Sequence, residues 1–315
     1  MYKFAFTYLV KEDPETWKDF AISLDLLYKN ILSKLLCRYK IIIFCEGEPT
    51  KKANLILQKL ILNENINISI KKISLKSYVN RDKDDIYIKE FPHPSDCRLI
   101  FPLGYRDMCK FFAYDVFLDK YFDDTEYFVR LDTDSFFICT NKTFLNQLIN
   151  ISSDYGYIKS TIQYEDKAVS LGFGKTLYKF AKQTKFYKSN PIHYLNICQE
   201  ATVKPKIFYT NFEIVKLNWA RSNNHKDLMK YILNANGIYN FRWGDALIRY
   251  YSVSLLRASV EPLRGCLYKH SGIYDSRNIL RSLLVKVYSK MRNRLYQNKY
   301  ERNLSKIDKV FLGIG

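Results

Sequence analysis

Apolar and polar positions change period along the first half of the chain. Residues 2–10 are a nearly unbroken apolar run of strand length, which predicts a strand. Residues 14–37 instead place Trp17, Phe20, Ala21, Leu24 and Leu27/Tyr28 at helical spacing, and 39–45 again read as a buried strand. The pattern continues with a helix over about 49–62, a short strand near 66–75, a helix over about 104–121 and a strand at Tyr127–Leu131. Strands that alternate with helices predict an α/β layer with a largely parallel sheet, whose ligands sit at the carboxyl ends of strands. The site is therefore expected just after Leu131.

The second half is less regular. Residues 141–150, 174–188, 222–235 and 244–256 read as helices, and 205–217 as strand and turn. The polar, proline-punctuated stretch 81–98 reads as a loop rather than a domain linker. Residues 277–310 carry ten Lys/Arg against Glu301 and Asp308, with apolar residues at helical spacing, so a basic amphipathic helix is expected there. It packs as a terminal helix or touches an anionic membrane surface peripherally.

The 315 residues suffice for one large domain or two modest ones, and 47% of them are apolar. Fifty Lys+Arg against 32 Asp+Glu leave a net charge of +18, which points to an anionic partner: nucleic acid, anionic membrane or a phosphate-bearing substrate. The many Tyr, Phe, Lys, Asn and Ile read as the mark of an AT-rich genome rather than of a binding surface. Seven cysteines form no C-x-x-C pair, which argues against a disulfide framework or zinc cluster and for free thiols in a reducing compartment. The first apolar run is too short for a signal peptide or anchor, and no other run reaches spanning length, so a cytoplasmic protein is expected. Four N-x-S/T triplets, at Asn67, Asn141, Asn150 and Asn303, are read as chance in an Asn-rich chain.

The chemistry concentrates in Leu131-Asp132-Thr133-Asp134-Ser135. Two carboxylates one residue apart at the end of a buried strand are costly unless compensated, and a hard divalent cation holding phosphate oxygens compensates them simply. A turn in which both carboxylates cap and pair with nearby basic residues would also do so. Three enzyme classes use such strings. Aspartyl-nucleophile phosphatases place the pair after their first strand, unlike here. B-family DNA polymerases need several times this length and a second carboxylate motif. Metal-dependent nucleotide-sugar glycosyltransferases of the GT-A fold carry Asp-x-Asp mid-chain at the end of an α/β nucleotide-binding half, which fits length and position.

Three further blocks carry a resemblance: Gly104-Tyr105-Arg106-Asp107-Met108-Cys109-Lys110-Phe111-Phe112, then Thr210-Asn211-Phe212-Glu213-Ile214, then Tyr239-Asn240-Phe241-Arg242-Trp243-Gly244-Asp245-Ala246. Together with Tyr127–Asp134 the chain resembles, over about 2–274, the fungal Golgi α-1,2-mannosyltransferases related to the yeast Kre2/Mnt1 proteins. The resemblance implies a retaining GT-A enzyme that transfers mannose from GDP-mannose to a sugar hydroxyl of a glycan with Mn²⁺. It also implies one domain over 1–275, with a nucleotide-sugar half to about 137 and an acceptor half over 138–275. Three features depart from the family: Asp132-Thr133 stands for Glu-Pro, no amino-terminal anchor is expected, and the basic tail 276–315 has no counterpart in it.

By this resemblance Asp134 and Asp132 bind the metal, and His270 completes its shell. Asp132 alternatively holds ribose or a water. Glu213 acts at the anomeric carbon, either as a nucleophile or by shielding an oxocarbenium-like state. Otherwise it is a buried partner of Arg130 or Arg242. Tyr105 lies close to the donor. Arg106 and Arg130 offer guanidinium forks that match phosphate or carboxylate, and Arg130 alternatively braces the metal-binding turn. Trp243 packs a sugar face of the acceptor and Asp245 accepts from its hydroxyls, unless Asp245 is a helix cap. A UDP-sugar donor is the alternative within the same chemistry. A nucleic-acid-binding protein with a dead site is the alternative of another class, although no nucleic-acid partner is expected.

Overall fold

The computed structural model describes residues 1–64, 66–75, 103–158, 162–167, 169–184, 188 and 190–270. The expected loop at 81–98 and the basic tail 276–315 lie outside the described residues.

Strands β1 (Tyr2–Val10), β2 (Tyr39–Cys45), β3 (Asn67–Lys72) and β4 (Thr125–Leu131) alternate with helices α1 (Pro14–Asn30), α2 (Lys51–Glu64) and α3 (Leu103–Ala113), as the periodicity predicts. Asp13 starts α1 by accepting from the Thr16 backbone N–H at 2.8 Å, with Pro14 at the first helical position. The helix stops at Asn30, short of the expected 37, and a 3-10 turn Leu32–Lys34 follows. Helix α3 likewise gives way to 3-10 turns at Asp115–Leu118 and Lys120–Phe122 before 121 is reached.

Beyond β4 the chain forms β5 (Ser135–Thr140), α4 (Lys142–Ile149), β6 (Tyr155–Ile158), β7 (Ile162–Tyr164), α5 (Phe173–Gln183), α6 (Pro191–Val203), β8 (Lys206–Phe208), β9 (Phe212–Lys216), α7 (Asn223–Asn234), α8 (Asp245–Leu255), β10 (Val260–Leu263) and β11 (Cys266–His270), with short helical turns at Leu217–Ala220 and Gly237–Phe241. The main sheet has the order β10-β6-β9-β4-β1-β2-β3. Every neighbour pair in it is parallel except those made by β9, which runs antiparallel to both β4 and β6.

Successive side chains of the central strands go to opposite faces. Phe4, Phe6, Tyr8 and Val10 of β1 join Ile41, Ile43 and Cys45 of β2 in one core with α1, α2 and α4. Ala5, Ile42 and Phe44 pack on the other side with α3 and α5–α8. Helices thus cover both faces, so β1 and β2 read as continuous apolar runs rather than alternating ones. At the carboxyl end of β4, in the middle of the sheet, the backbone leaves the layer at Asp132.

Candidate active site

The turn after β4 is held by backbone and side chains together. The Asp132 N–H donates to the Asn211 carbonyl at 3.0 Å, and the Ser135 N–H donates to the Asp132 carbonyl at 3.0 Å. The Ser135 hydroxyl donates to the Asn211 carbonyl at 2.8 Å and lies 2.8 Å from the Tyr268 hydroxyl. Ser23 of α1 donates to the Ser135 carbonyl at 2.6 Å.

From this turn β5 runs antiparallel to β11 as a two-stranded ribbon, with His270 opposite Ser135. That pairing carries His270 to the carboxylates: its Nε2 lies 3.1 Å from Asp134 Oδ1 and 3.5 Å from Asp132 Oδ2. The three half-buried side chains bring one ligand atom each to within 4.8 Å of one another. His270 Nδ1 meets the Tyr209 hydroxyl at 3.2 Å, which leaves Nε2 directed at the carboxylates. Burial works against a charged imidazole, but hydrogen bonds and attraction from Asp132 and Asp134 push the His270 pKa up to about 9. Burial likewise opposes the Asp132 carboxylate, yet Arg130 and His270 hold its pKa below the usual range. Two carboxylate oxygens and an imidazole nitrogen thus converge at one point. Such a donor set suits Mn²⁺ or a similar cation.

Arg130, buried in β4, joins the turn to helix α8. Its Nε donates to Asp132 Oδ1 at 3.0 Å, one guanidinium N–H pairs with Asp245 Oδ2, and the guanidinium lies 3.7 Å from the Phe112 ring centroid. Thr210 donates to the same Asp245 oxygen at 2.7 Å. Asp245 is the first residue of α8, and Gly244 rather than Asp245 is its N-cap. The brace expected of Arg130 is therefore present, and Asp245 is engaged from within the protein.

Glu213 faces Arg130 across the β4–β9 ladder and is fully buried. Its ion-pair partner is neither Arg130 nor Arg242 but Arg249 of α8, whose Nε donates to Oε2 at 2.9 Å. The other carboxylate oxygen is buried with no hydrogen-bond partner, as are both polar atoms of the Asn211 amide.

Tyr105 and Arg106 lie in the first turns of α3. Burial, with Cys109 and Asp245 adding to it, raises the Tyr105 hydroxyl's pKa. A guanidinium N–H of Arg106 donates to the Tyr239 carbonyl, and Asp107 accepts from the Tyr239 hydroxyl at 2.8 Å, so α3 docks on the turn before Trp243. Burial and then the nearby Arg242 charge lower the Arg106 pKa. Trp243 is buried, donates from Nε1 to the Leu171 carbonyl at 2.9 Å and packs edge-on against Phe173. With Phe241, Lys175 and Lys179 it lines a cavity of about 230 Å³.

The structure thus gathers Asp132, Asp134 and His270 in one cluster and ties Arg130 and Asp245 to it directly. Glu213 follows on the adjoining strand, while Arg106 and Trp243 belong to the packing around the 237–243 turn. Tyr209, Asn211 and Arg249 were not singled out from the sequence. Asn211 stood in the Thr210–Ile214 block without a role of its own, and Arg249 had a signal as a lone charge inside the apolar run Ala246-Leu247-Ile248-Arg249-Tyr250-Tyr251.

A family model described as Glycolipid 2-alpha-mannosyltransferase matches residues 39–279. The chain belongs to that family. Its curated relatives include the probable mannosyltransferase KTR3 of Saccharomyces cerevisiae, 30% identical over 154 residues, which are 48% of this chain and 38% of KTR3. The O-glycoside alpha-1,2-mannosyltransferase homolog 2 of Schizosaccharomyces pombe is 25% identical over 48% of this chain and 41% of its own length. The match therefore spans about two fifths of these relatives. Among solved structures, core-mannan synthase A (CmsA/Ktr4) of Aspergillus fumigatus in its Mn/GDP form superposes with a TM-score of 0.64 at 18% identity, over 86% of this chain and 75% of that one. The mannosyltransferase Ktr4p of S. cerevisiae in complex with GDP gives 0.63 at 19% identity, over 86% and 71%. This glycolipid 2-alpha-mannosyltransferase family member has the GT-A glycosyltransferase fold that the Asp-x-Asp position predicted.

Proposed function

We propose that the protein is a Mn²⁺-dependent retaining glycosyltransferase that moves mannose from GDP-mannose to a sugar hydroxyl of a glycan. The observation that carries this reading is the convergence of Asp132, Asp134 and His270 at the carboxyl end of β4. Family membership and the Mn/GDP form of a structural relative support the choice of metal and donor.

Asp132, Asp134 and His270 hold the ion, which supplies positive charge against the leaving diphosphate when bound. Arg130 fixes Asp132, and Asp245 fixes Arg130 in turn. Tyr105 flanks the donor, and Arg106 with the adjacent Arg242 adds positive charge for its phosphates. Glu213 supplies the negative charge that steadies an oxocarbenium-like sugar as the bond from C1 to the diphosphate oxygen breaks and the acceptor oxygen bonds C1 on the same face, its proton passing to the departing diphosphate oxygen. Trp243 forms a wall of the acceptor side, and Asp245 serves that side through its hold on Arg130 and Thr210. The free cysteines among the described residues support a reducing setting such as the cytoplasm.

The test is transfer from GDP-mannose to methyl α-mannoside with Mn²⁺ or with chelator, the product's anomeric configuration being read by NMR. Metal-dependent formation of an α-linked disaccharide is expected. A β-linked product, or equal turnover with chelator, would refute the proposal.

A further inference from the structure

The pair formed by Glu213 and Arg249 is more than a neutralised charge. Both side chains are about 1% exposed, and two of the three guanidinium nitrogens are engaged, the remaining Nη being buried without a partner. Its Nε donates to Glu213 Oε2 at 2.9 Å, one Nη donates to the Phe112 carbonyl at 2.9 Å, and its centre lies 4.6 Å from the Phe117 ring centroid. In this arrangement Oε2 is engaged by Arg249 and Oε1 is not.

A buried carboxylate oxygen without a partner is destabilising, and an arrangement that keeps one must gain elsewhere. The charged and titratable groups around Glu213 come from three elements. Arg130 lies opposite it on β4, Arg249 and Asp245 lie on α8, and the Tyr155 hydroxyl lies on β6. Tyr155 is itself buried, and burial together with its hydroxyl's interaction with the Glu213 carboxylate raises its pKa. Burial favours a protonated Glu213, and the two arginines oppose it, with Arg249 the larger influence.

We propose that Arg249 is a positioning residue for the transfer reaction: it pins Glu213 by Oε2, so that Oε1 is the oxygen left for the donor sugar. The inference rests on the reading of Glu213 as the carboxylate that acts at the anomeric carbon. It assigns to Arg249 the control of that carboxylate's charge and direction, with Phe112 and Phe117 as the supports of Arg249. Neither support needs to touch substrate.

The experiment measures kcat and KM for GDP-mannose against pH, and Mn²⁺-dependent GDP binding, in the wild type, Arg249→Gln, Arg249→Lys and Glu213→Gln. In Arg249→Gln, kcat falls about 10- to 100-fold, as expected of a misplaced catalytic group. KM and GDP binding hold, and the acid limb of the kcat profile moves to higher pH, because Glu213 loses its larger cationic neighbour. Arg249→Lys returns the limb towards its original place while recovering only part of kcat, since an ammonium lacks the planar fork. An unmoved limb, or a loss of GDP binding and stability in step with kcat, would overturn the proposal and leave a purely structural pair. Should the Arg249 variants not fold, Phe117→Leu loosens the guanidinium without removing charge and must lower kcat without moving KM. Wild-type activity in Glu213→Gln would instead defeat the reading of Glu213 itself, whatever Arg249 does.

Discussion

His270 Nε2 lies 3.1 Å from Asp134 Oδ1, and the pairing of β5 with β11 makes that contact. The metal-binding set is thus an edge-ribbon product rather than a local motif. Replacing Asp134 with Asn removes one anionic ligand and leaves His270 with one carboxylate. We expect Mn²⁺ affinity to drop more than the roughly 10- to 100-fold that loss of an outer-shell partner costs. Isothermal titration with Mn²⁺ and GDP measures it, and an unchanged affinity would remove Asp134 from the site.

Arg130 ties Asp132 to Asp245. Arg130→Met leaves the buried Asp245 with Thr210 but without its cation, and such breakage costs about 3–5 kcal/mol. Chemical denaturation at neutral pH should show that loss. A change below about 1 kcal/mol would mean that the three charges are solvated separately.

The amino-terminal half of the fold was legible because each strand from β1 to β3 is followed, before the next strand, by a segment of helical period. The ribbon that completes the site was not. Residues 135–140 and 266–270 pair across more than a hundred residues, and pairing partners leave no mark in local periodicity. Helix α6 was hidden for a related reason: its apolar residues are spread around the helix, so it lacks a clear stripe. Asp132, Asp134 and Glu213 could be named from the strings they occupy. The partner of Glu213 could not, since Arg130, Arg242 and Arg249 look alike in sequence and only the packing of α8 against α3 selects among them.

His225 is buried among Trp219, Tyr114 and Phe117, and its Nδ1 is 2.8 Å from the Ala220 carbonyl. Burial, and after it the Arg249 charge, lowers its pKa from 6.5 to about 3. Between those values the unfolded chain binds a proton that the folded chain does not, so stability falls as pH drops below about 6.5. The loss from this group amounts to about 2 kcal/mol at pH 5. His225→Asn should flatten the difference between urea denaturation at pH 7 and pH 5. An equally steep variant would assign the acid sensitivity to other groups.

A side chain at Gly237 has no room, because a methyl there would overlap the Trp243 ring. Gly237→Ala should cost about 1–3 kcal/mol by overpacking. It should displace Trp243 and weaken acceptor use, read as a raised acceptor KM with the Mn²⁺-dependent GDP affinity retained. Loss of GDP binding instead would place Trp243 on the donor side.

Asp132, Asp134 and His270 are proposed to build a Mn²⁺-dependent GDP-mannose site. A thermal-shift comparison of GDP-mannose, GDP-fucose, UDP-glucose, UDP-galactose and UDP-GlcNAc, each with and without Mn²⁺, tests it most directly, because selective binding raises apparent stability by mass action. A Mn²⁺-dependent shift that is largest for GDP-mannose and absent in Asp134→Asn is expected. A larger shift with a UDP-sugar, or one that survives in Asp134→Asn or without metal, would contradict it.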